Sequence, residues 1–146
     1  MIRRYGEVPQ SGQRYVHRPG VYAILPRAGK LLLTYQDEPH DEIQLPGGGV
    51  DPGESPIHAL HREVFEETGW RIANPRKFGV FRRFVYMPEY AMHAEKLCHI
   101  YLARPVRPHG PPSEQGHLPL WLDPLDAMAK LYNDGDAEFV AAIAAA

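Results

Sequence analysis

The feature that most constrains this chain is a short acidic stretch, Arg62-Glu63-Val64-Phe65-Glu66-Glu67, set between helix punctuation. Ser55-Pro56 supplies an N-cap and a first-turn proline, and Gly69 supplies a stop. The spacing therefore predicts a helix from about 56 to 68. Ile57, Leu60, Val64 and Thr68 fall on one stripe of it and predict a core-facing side. At 100° per residue Glu63, Glu66 and Glu67 share roughly a third of the circumference. Like charges at helical spacing repel. A hard divalent cation offsets that repulsion, since Mg²⁺ and Mn²⁺ take oxygen ligands. Arg62 can orient a neighbouring carboxylate through a bidentate contact.

The elements around this helix predict a layered α/β domain. Gly20–Leu25 and Lys30–Tyr35 are β-favouring runs separated by Pro26, Arg27, Ala28 and Gly29, the pattern of a hairpin. Gln36–Glu42 reads as a polar loop and Ile43–Leu45 as a short strand ending at Pro46. Gly47-Gly48-Gly49 opens a turn-rich stretch through Asp51-Pro52-Gly53. Phe78–Met87 and Leu97–Val106 read as longer strands. The second is apolar on both alternating faces and is expected to be covered on both sides. Leu118–Leu122 is a further strand, Asp123-Pro124 starts a helix that ends at Asn133-Asp134-Gly135, and Asp136 is expected to cap a final Ala-rich helix. Residues 1–146 read as a single domain, with 1–17 an irregular lead-in carrying Pro9 and Gly12.

The chain of 146 residues has 16 basic and 18 acidic side chains, a formal net charge of −2, so no broad basic field invites nucleic acid. One cysteine, Cys98, rules out a disulfide within the chain and fits a reducing compartment. The basic start is not followed by an apolar run, and no stretch approaches a membrane span, so the expected location is cytoplasmic. Of the eight histidines, His58 and His61 stand at i, i+3 without a zinc pattern and read as packed or exposed.

Gly48, Glu54, Arg62-Glu63, Glu66-Glu67 and Gly69 have fixed mutual spacing. Seven such positions would match by chance on the order of 10⁻⁹ times per starting point. This pattern resembles the Nudix box at every charged and glycine position. The hairpin, the Leu45-Pro46-Gly47-Gly48 entry, the two long strands and Trp121-Leu122-Asp123-Pro124 extend the resemblance over roughly residues 18–140. It implies an α/β/α sandwich around a mixed sheet, with a loop–helix–loop box. It implies Mg²⁺ or Mn²⁺ held by Glu63, Glu66, Glu67 and the Gly47 carbonyl, with Arg62 holding a catalytic glutamate and Gly48 and Glu54 in support. It also implies hydrolysis of a pyrophosphate bond in a nucleoside diphosphate linked to another group. The general base or an extra ligand is expected from a loop after the long strands, where Glu114 is the candidate and Glu95 the weaker alternative.

Two positions depart from the family pattern. Trp70 replaces the usual aliphatic residue that ends the box. Tyr35 and Gln36 stand where many members carry a phosphate-contacting arginine, so that contact could fall to Arg82, Arg83 or Arg27. Phe81, Phe84, Tyr86 and Tyr90 stand at strand spacing and read first as packing residues, with Tyr86 a candidate for stacking a base. The competing readings are a Nudix-like module that binds a nucleotide without cutting it, and a hydrolase acting on RNA 5′ ends.

Overall fold

A computed structural model describes residues 2–37 and 41–145. The strands are β1 (Arg3–Gly6), β2 (Val16–Ile24), β3 (Pro26–Arg27), β4 (Lys30–Gln36), β5 (Glu42–Gln44), β6 (Gly47–Gly49), β7 (Trp70–Met87), β8 (Met92–Pro108) and β9 (His117–Leu122). The helices are α1 (Pro56–Thr68), α2 (Pro124–Lys130) and α3 (Asp134–Ala144). A five-stranded mixed sheet runs β1-β7-β8-β2-β6, and β4 joins β3, β5 and β9 in a second sheet. Among the described residues no helix is long and apolar enough to cross a membrane.

Strand alternation sorts the core into two layers. Val21, Ala23 and Leu25 of the β2 segment, with Tyr101 and Ala103 of β8, pack against Ala59, Leu60 and Val64 of α1. Ile24, Phe81, Cys98 and Ile100 point the other way, against Ala127 and Leu131 of the α2 segment and Val140 of α3. Helices thus cover both faces of the sheet, as the resemblance implied. Leu60 is fully buried. Truncating such a leucine to alanine typically costs about 2–5 kcal/mol.

The lead-in expected at 1–17 is partly regular. Arg3–Gly6 pairs in parallel with Phe81–Phe84, and β2 starts already at Val16. The long strand β7 offers a free row of backbone groups at that edge, and Tyr5 sets its ring edge-on against Phe81 at 5.3 Å. The two long strands also exceed their apolar runs. β7 continues through Pro75 and Gly79 by register shifts between Arg71 and Ile72, Ala73 and Arg76, and Lys77 and Gly79. Bulges absorb residues that a regular ladder would reject. The triple glycine, expected as turn, forms β6 and pairs antiparallel with Gly20–Tyr22. On α1, Leu60, Val64 and Thr68 are buried as expected, whereas Ile57 is exposed at the first turn. The polar loop read at 36–42 narrows, because Gln36 and Glu42 pair across β4 and β5; its residues 38–40 lie outside the described residues.

The last helix begins one cap earlier than expected. Asn133 is the N-cap, its Oδ1 accepting the Asp136 amide at 2.8 Å. Asp136 therefore keeps its own carboxyl free to turn inward, where it is 3% exposed. Burial pushes that carboxyl up to about 7, against the opposing pull of the Arg83 charge and the Leu45 amide. A carboxyl whose folded pKa exceeds its unfolded value holds a proton that the unfolded chain has released. Stability therefore falls as pH rises from about 4 to about 7 and is flat above. Asp136→Asn should remove this part of the fall, making the variant more stable than the parent at pH 8 by up to a few kcal/mol and little different near pH 4. Urea unfolding at the two pH values measures it. Equal pH slopes in parent and variant would contradict the assignment.

Candidate metal and phosphate site

Local rules set the helix. Ser55 Oγ accepts the His58 amide at 3.1 Å, Pro56 occupies the first turn, and Gly69 closes α1 in the left-handed region at φ 76°. A side chain at Gly69 would also strike the Gly110 carbonyl. The loop after β8 is stitched onto this end of the helix: the amides of Glu114 and His109 donate to the Glu66 and Gly69 carbonyls at 3.0 and 2.8 Å. These bonds satisfy carbonyls that a helix end leaves free. They also carry Glu114 to the box.

Arg62 organises the acidic face. Its Nε and Nη2 grip Glu54 at 2.7 and 2.8 Å, Nη1 donates to Glu63 and Glu66 at 2.9 Å each, and Nη2 reaches the Gly49 carbonyl at 3.2 Å. The Arg62 hydrogen bonds, followed by the Asp51 amide, pull Glu54 down to about 2. Arg62 itself is raised, first by Glu54. Gly48 leaves the space that Glu63 fills, since a Cβ there would come within 2.5 Å of the Glu63 carboxyl. Burial raises Glu63 despite the Arg62 bonds that oppose it.

Glu67 is in a different situation. It is 6% exposed, and its Oε1 accepts the Gly47 amide at 3.1 Å. Burial raises its carboxyl well above the ordinary range, the Gly47 amide opposes that, and Glu114, Glu63 and Glu66 add to it. Beside it stands His117, whose Nε2 is 3.8 Å from Glu67 Oε2 and whose Nδ1 is 2.9 Å from Thr34 Oγ1. Burial lowers the His117 pKa, so the ring favours the neutral form. Glu67, Glu114 and His117 bring one ligand atom each within 4.8 Å of one another and could hold a metal ion. Asp51, Glu54, Glu63, Glu66, Glu67 and Glu114 set six carboxylates against the Arg62 guanidinium, a formal −5 if all ionise. Such a donor set of oxygens and one imidazole fits a divalent cation.

The expected site residues thus divide. Glu54, Glu63 and Glu66 gather on Arg62, while Glu67 meets Glu114. Glu95 lies elsewhere: it pairs with His17 at 3.7 Å and Arg82 at 3.5 Å. Val21, which pairs with Gly48, faces His99, and Glu95 is four residues further along β8, about 13 Å away. Arg82 and Tyr86 share the α1 side of β7 with Phe84, whereas Arg83 is on the opposite side, near Asp136 and Tyr22. Arg27 is engaged by the Val106 carbonyl at 2.7 Å and by the Trp70 ring. Trp70 packs edge-on against Trp121 at 5.2 Å, so the unusual last box residue is accommodated. His58 is exposed near Glu54. Sequence reasoning missed His117 and Thr34. The only signal was Glu114-x-x-His117, which gives no hint that Thr34, 83 residues away, would meet the ring.

Residues 16–143 match the NUDIX domain profile, and the chain belongs to that family. It is 35% identical over 74 residues to a Bacillus subtilis (strain 168) protein carrying the provisional name 8-oxo-dGTP diphosphatase, covering 51% of this chain and 50% of that one. It is 40% identical over 58 residues to the RNA pyrophosphohydrolase of Helicobacter pylori (strain ATCC 700392 / 26695), covering 36% and 37%. The chain therefore spans half or less of the length of these relatives. In fold it resembles a NUDIX hydrolase from Nitrosomonas europaea, with a TM-score of 0.73, 21% identity and 88% of each chain covered.

The buried, poorly compensated Glu67 gives a stability prediction. Glu67→Gln keeps an acceptor for the Gly47 amide and removes a charge that burial and three neighbours disfavour. In chelator at neutral pH it should melt higher than the parent, by about 2–4 °C for each kcal/mol recovered. Glu66→Gln should not, because Glu66 is a third exposed and bonded to Arg62. A Glu67→Gln protein that melts below the parent would overturn this account of the site.

Proposed function

We propose that this protein hydrolyses a pyrophosphate bond in a nucleoside diphosphate linked to another group, using a divalent metal. The observation that carries the reading is the Arg62-organised carboxylate face with Glu67 and Glu114 beside it. Family membership supports it, as does the likeness to two relatives named as an 8-oxo-dGTP diphosphatase and an RNA pyrophosphohydrolase. Glu63, Glu66, Glu67 and the Gly47 carbonyl would hold Mg²⁺ or Mn²⁺. The metal would draw charge from the phosphoryl oxygens and acidify a water.

The chain's own groups do the rest. Arg62 fixes the directions of Glu63 and Glu66, and Glu54 fixes Arg62, so the oxygens facing the substrate are set before it arrives. Glu114, on its stitched loop, takes the proton from the attacking water. Water attacks phosphorus in line and a phosphate leaves with its bond electrons, with no covalent intermediate on the protein. Arg82, Arg83 and Tyr86 are the weaker candidates for contact with the rest of the substrate. The substrate is a small nucleotide-type molecule, Mg²⁺ or Mn²⁺ is the expected ion, and the single cysteine Cys98 is in keeping with a cytoplasmic location.

A phosphate-release screen over dinucleoside polyphosphates, nucleotide sugars, ADP-ribose, oxidised nucleotides and 5′-triphosphorylated RNA tests the reading, each with Mg²⁺, Mn²⁺ or EDTA. Turnover with metal and none in EDTA is expected, and full turnover in EDTA would refute the metal. Preference for the RNA would move the assignment to RNA ends. On the best substrate Glu114→Gln should lower kcat by about 10²–10⁴-fold with KM little changed. Glu95→Gln, a control tied to His17 and Arg82, should retain near-parent kcat. The reverse result would place the base elsewhere.

A further inference from the structure

The acidic helix and the box geometry make an all-oxygen site, yet the structure places one nitrogen beside it. We propose that His117 Nε2 is a direct ligand of the metal held at Glu67, with one oxygen of Glu114 completing that set and its other oxygen left to take the proton from the attacking water, so that the centre favours transition-metal ions over Mg²⁺. The inference rests on the reading of the box as a metal centre and adds to it a ligand type and an ion preference.

Three observations carry it. First, the ring is fixed. His117 opens β9, opposite Gln36 of β4, and is 7% exposed. Thr34, fully buried two residues before Gln36, sets its hydroxyl 2.9 Å from Nδ1. With Nδ1–H donated to Thr34 Oγ1, the Nε2 lone pair faces Glu67. An outer hydrogen bond of this kind is how ligating imidazoles are usually oriented.

Second, the spacing suits an ion. Nε2 and Glu67 Oε2 are 3.8 Å apart, too long for a hydrogen bond. Around an octahedral ion with bonds of about 2.1 Å, neighbouring ligands stand about 3 Å apart and opposite ones about 4 Å. The three ligand atoms lie within 4.8 Å of one another, and the exposed Glu114 side chain can close the remainder. Third, Glu67 is already aimed. The Gly47 amide holds Oε1 at 3.1 Å, which leaves Oε2 as the oxygen on the His117 side.

The donor chemistry sets the preference. Mg²⁺ keeps to oxygen ligands and waters, whereas imidazole binds first-row transition ions more tightly, in an order rising from Mn²⁺ through Co²⁺. A centre with one imidazole should therefore gain more from Mn²⁺ or Co²⁺ than an all-carboxylate centre would.

The test uses the full chain with Mn²⁺ and no substrate. Pulsed electron-spin-echo spectroscopy should show ¹⁴N coupling from a coordinated imidazole, replaced by a ¹⁵N pattern when the protein carries ring-¹⁵N histidine. His117→Gln should abolish the coupling. Calorimetry should show its Mn²⁺ and Co²⁺ affinity lowered at least about tenfold, with Mg²⁺ affinity changed far less. Thr34→Val should weaken Mn²⁺ binding in the same direction, and Thr34→Ser should restore it. If His117 variants do not fold, a protein with His58, His61 and His109 changed to Gln should keep the coupling. Absence of nitrogen coupling in the parent, its persistence in His117→Gln, or equal losses for Mg²⁺ and Mn²⁺ would overturn the proposal. Metal-dependent turnover without nitrogen coupling would remove this inference and leave the proposed function. Nitrogen coupling in a protein that turns over nothing would do the opposite.

Discussion

One guanidinium holds the acidic face in order. Arg62 binds Glu54 with two parallel hydrogen bonds and still reaches Glu63, Glu66 and the Gly49 carbonyl. A lysine, with a single point of charge, could not reproduce that fork. Because Glu54 precedes α1 and Glu63 and Glu66 lie on it, the same group ties the box loop to the helix. Much of the surrounding sequence serves the contact: Ser55 starts the helix at the right residue, and Gly48 vacates the space that Glu63 enters.

Neutralisation stops short of Glu67. Arg62 spends its donors on Glu54, Glu63 and Glu66, and the buried Glu67 carboxylate has one backbone amide and a neutral-leaning histidine for company. Burying a charge without a full partner is expensive, and such groups raise their pKa or take a cation. The arrangement thus separates two jobs along one helix. Arg62 makes three carboxylates rigid, while Glu67, Glu114 and His117 keep donor capacity for something brought from outside. The loop that delivers Glu114 is bonded to the carbonyls at the end of α1, so the two halves of the site share one rigid element.

The acidic helix was legible because its signals are local: the Ser55-Pro56 start, the Gly69 stop and the stripe of Leu60, Val64 and Thr68. The same holds for the α/β/α layering, since Cys98 and Ile100 alternate with Tyr101 and Ala103 toward opposite helices. What stayed hidden depends on distant partners. Arg3–Gly6 carries little β pattern and becomes a strand because β7 leaves an edge open to it. β7 runs through Pro75 because bulges against β8 absorb it. Asn133 rather than Asp136 caps α3, a choice set by where the Asp136 carboxyl is buried. His117 looked like one histidine among eight until the β4–β9 pairing set it against Thr34 and brought it to Glu67.

If the helix serves a metal centre, the charge left uncompensated on it is a binding capacity for a divalent cation. The direct measurement is the melting temperature of the substrate-free protein as Mg²⁺ and Mn²⁺ are raised from chelator to millimolar levels. A ligand that binds only the folded state stabilises it by RT ln(1 + [L]/Kd), about 2.7 kcal/mol at a hundredfold excess over Kd. The melting temperature should rise with the logarithm of metal concentration, most in the parent and far less in Glu67→Gln. A melting temperature that stays flat for both ions, or rises equally in Glu67→Gln, would contradict it.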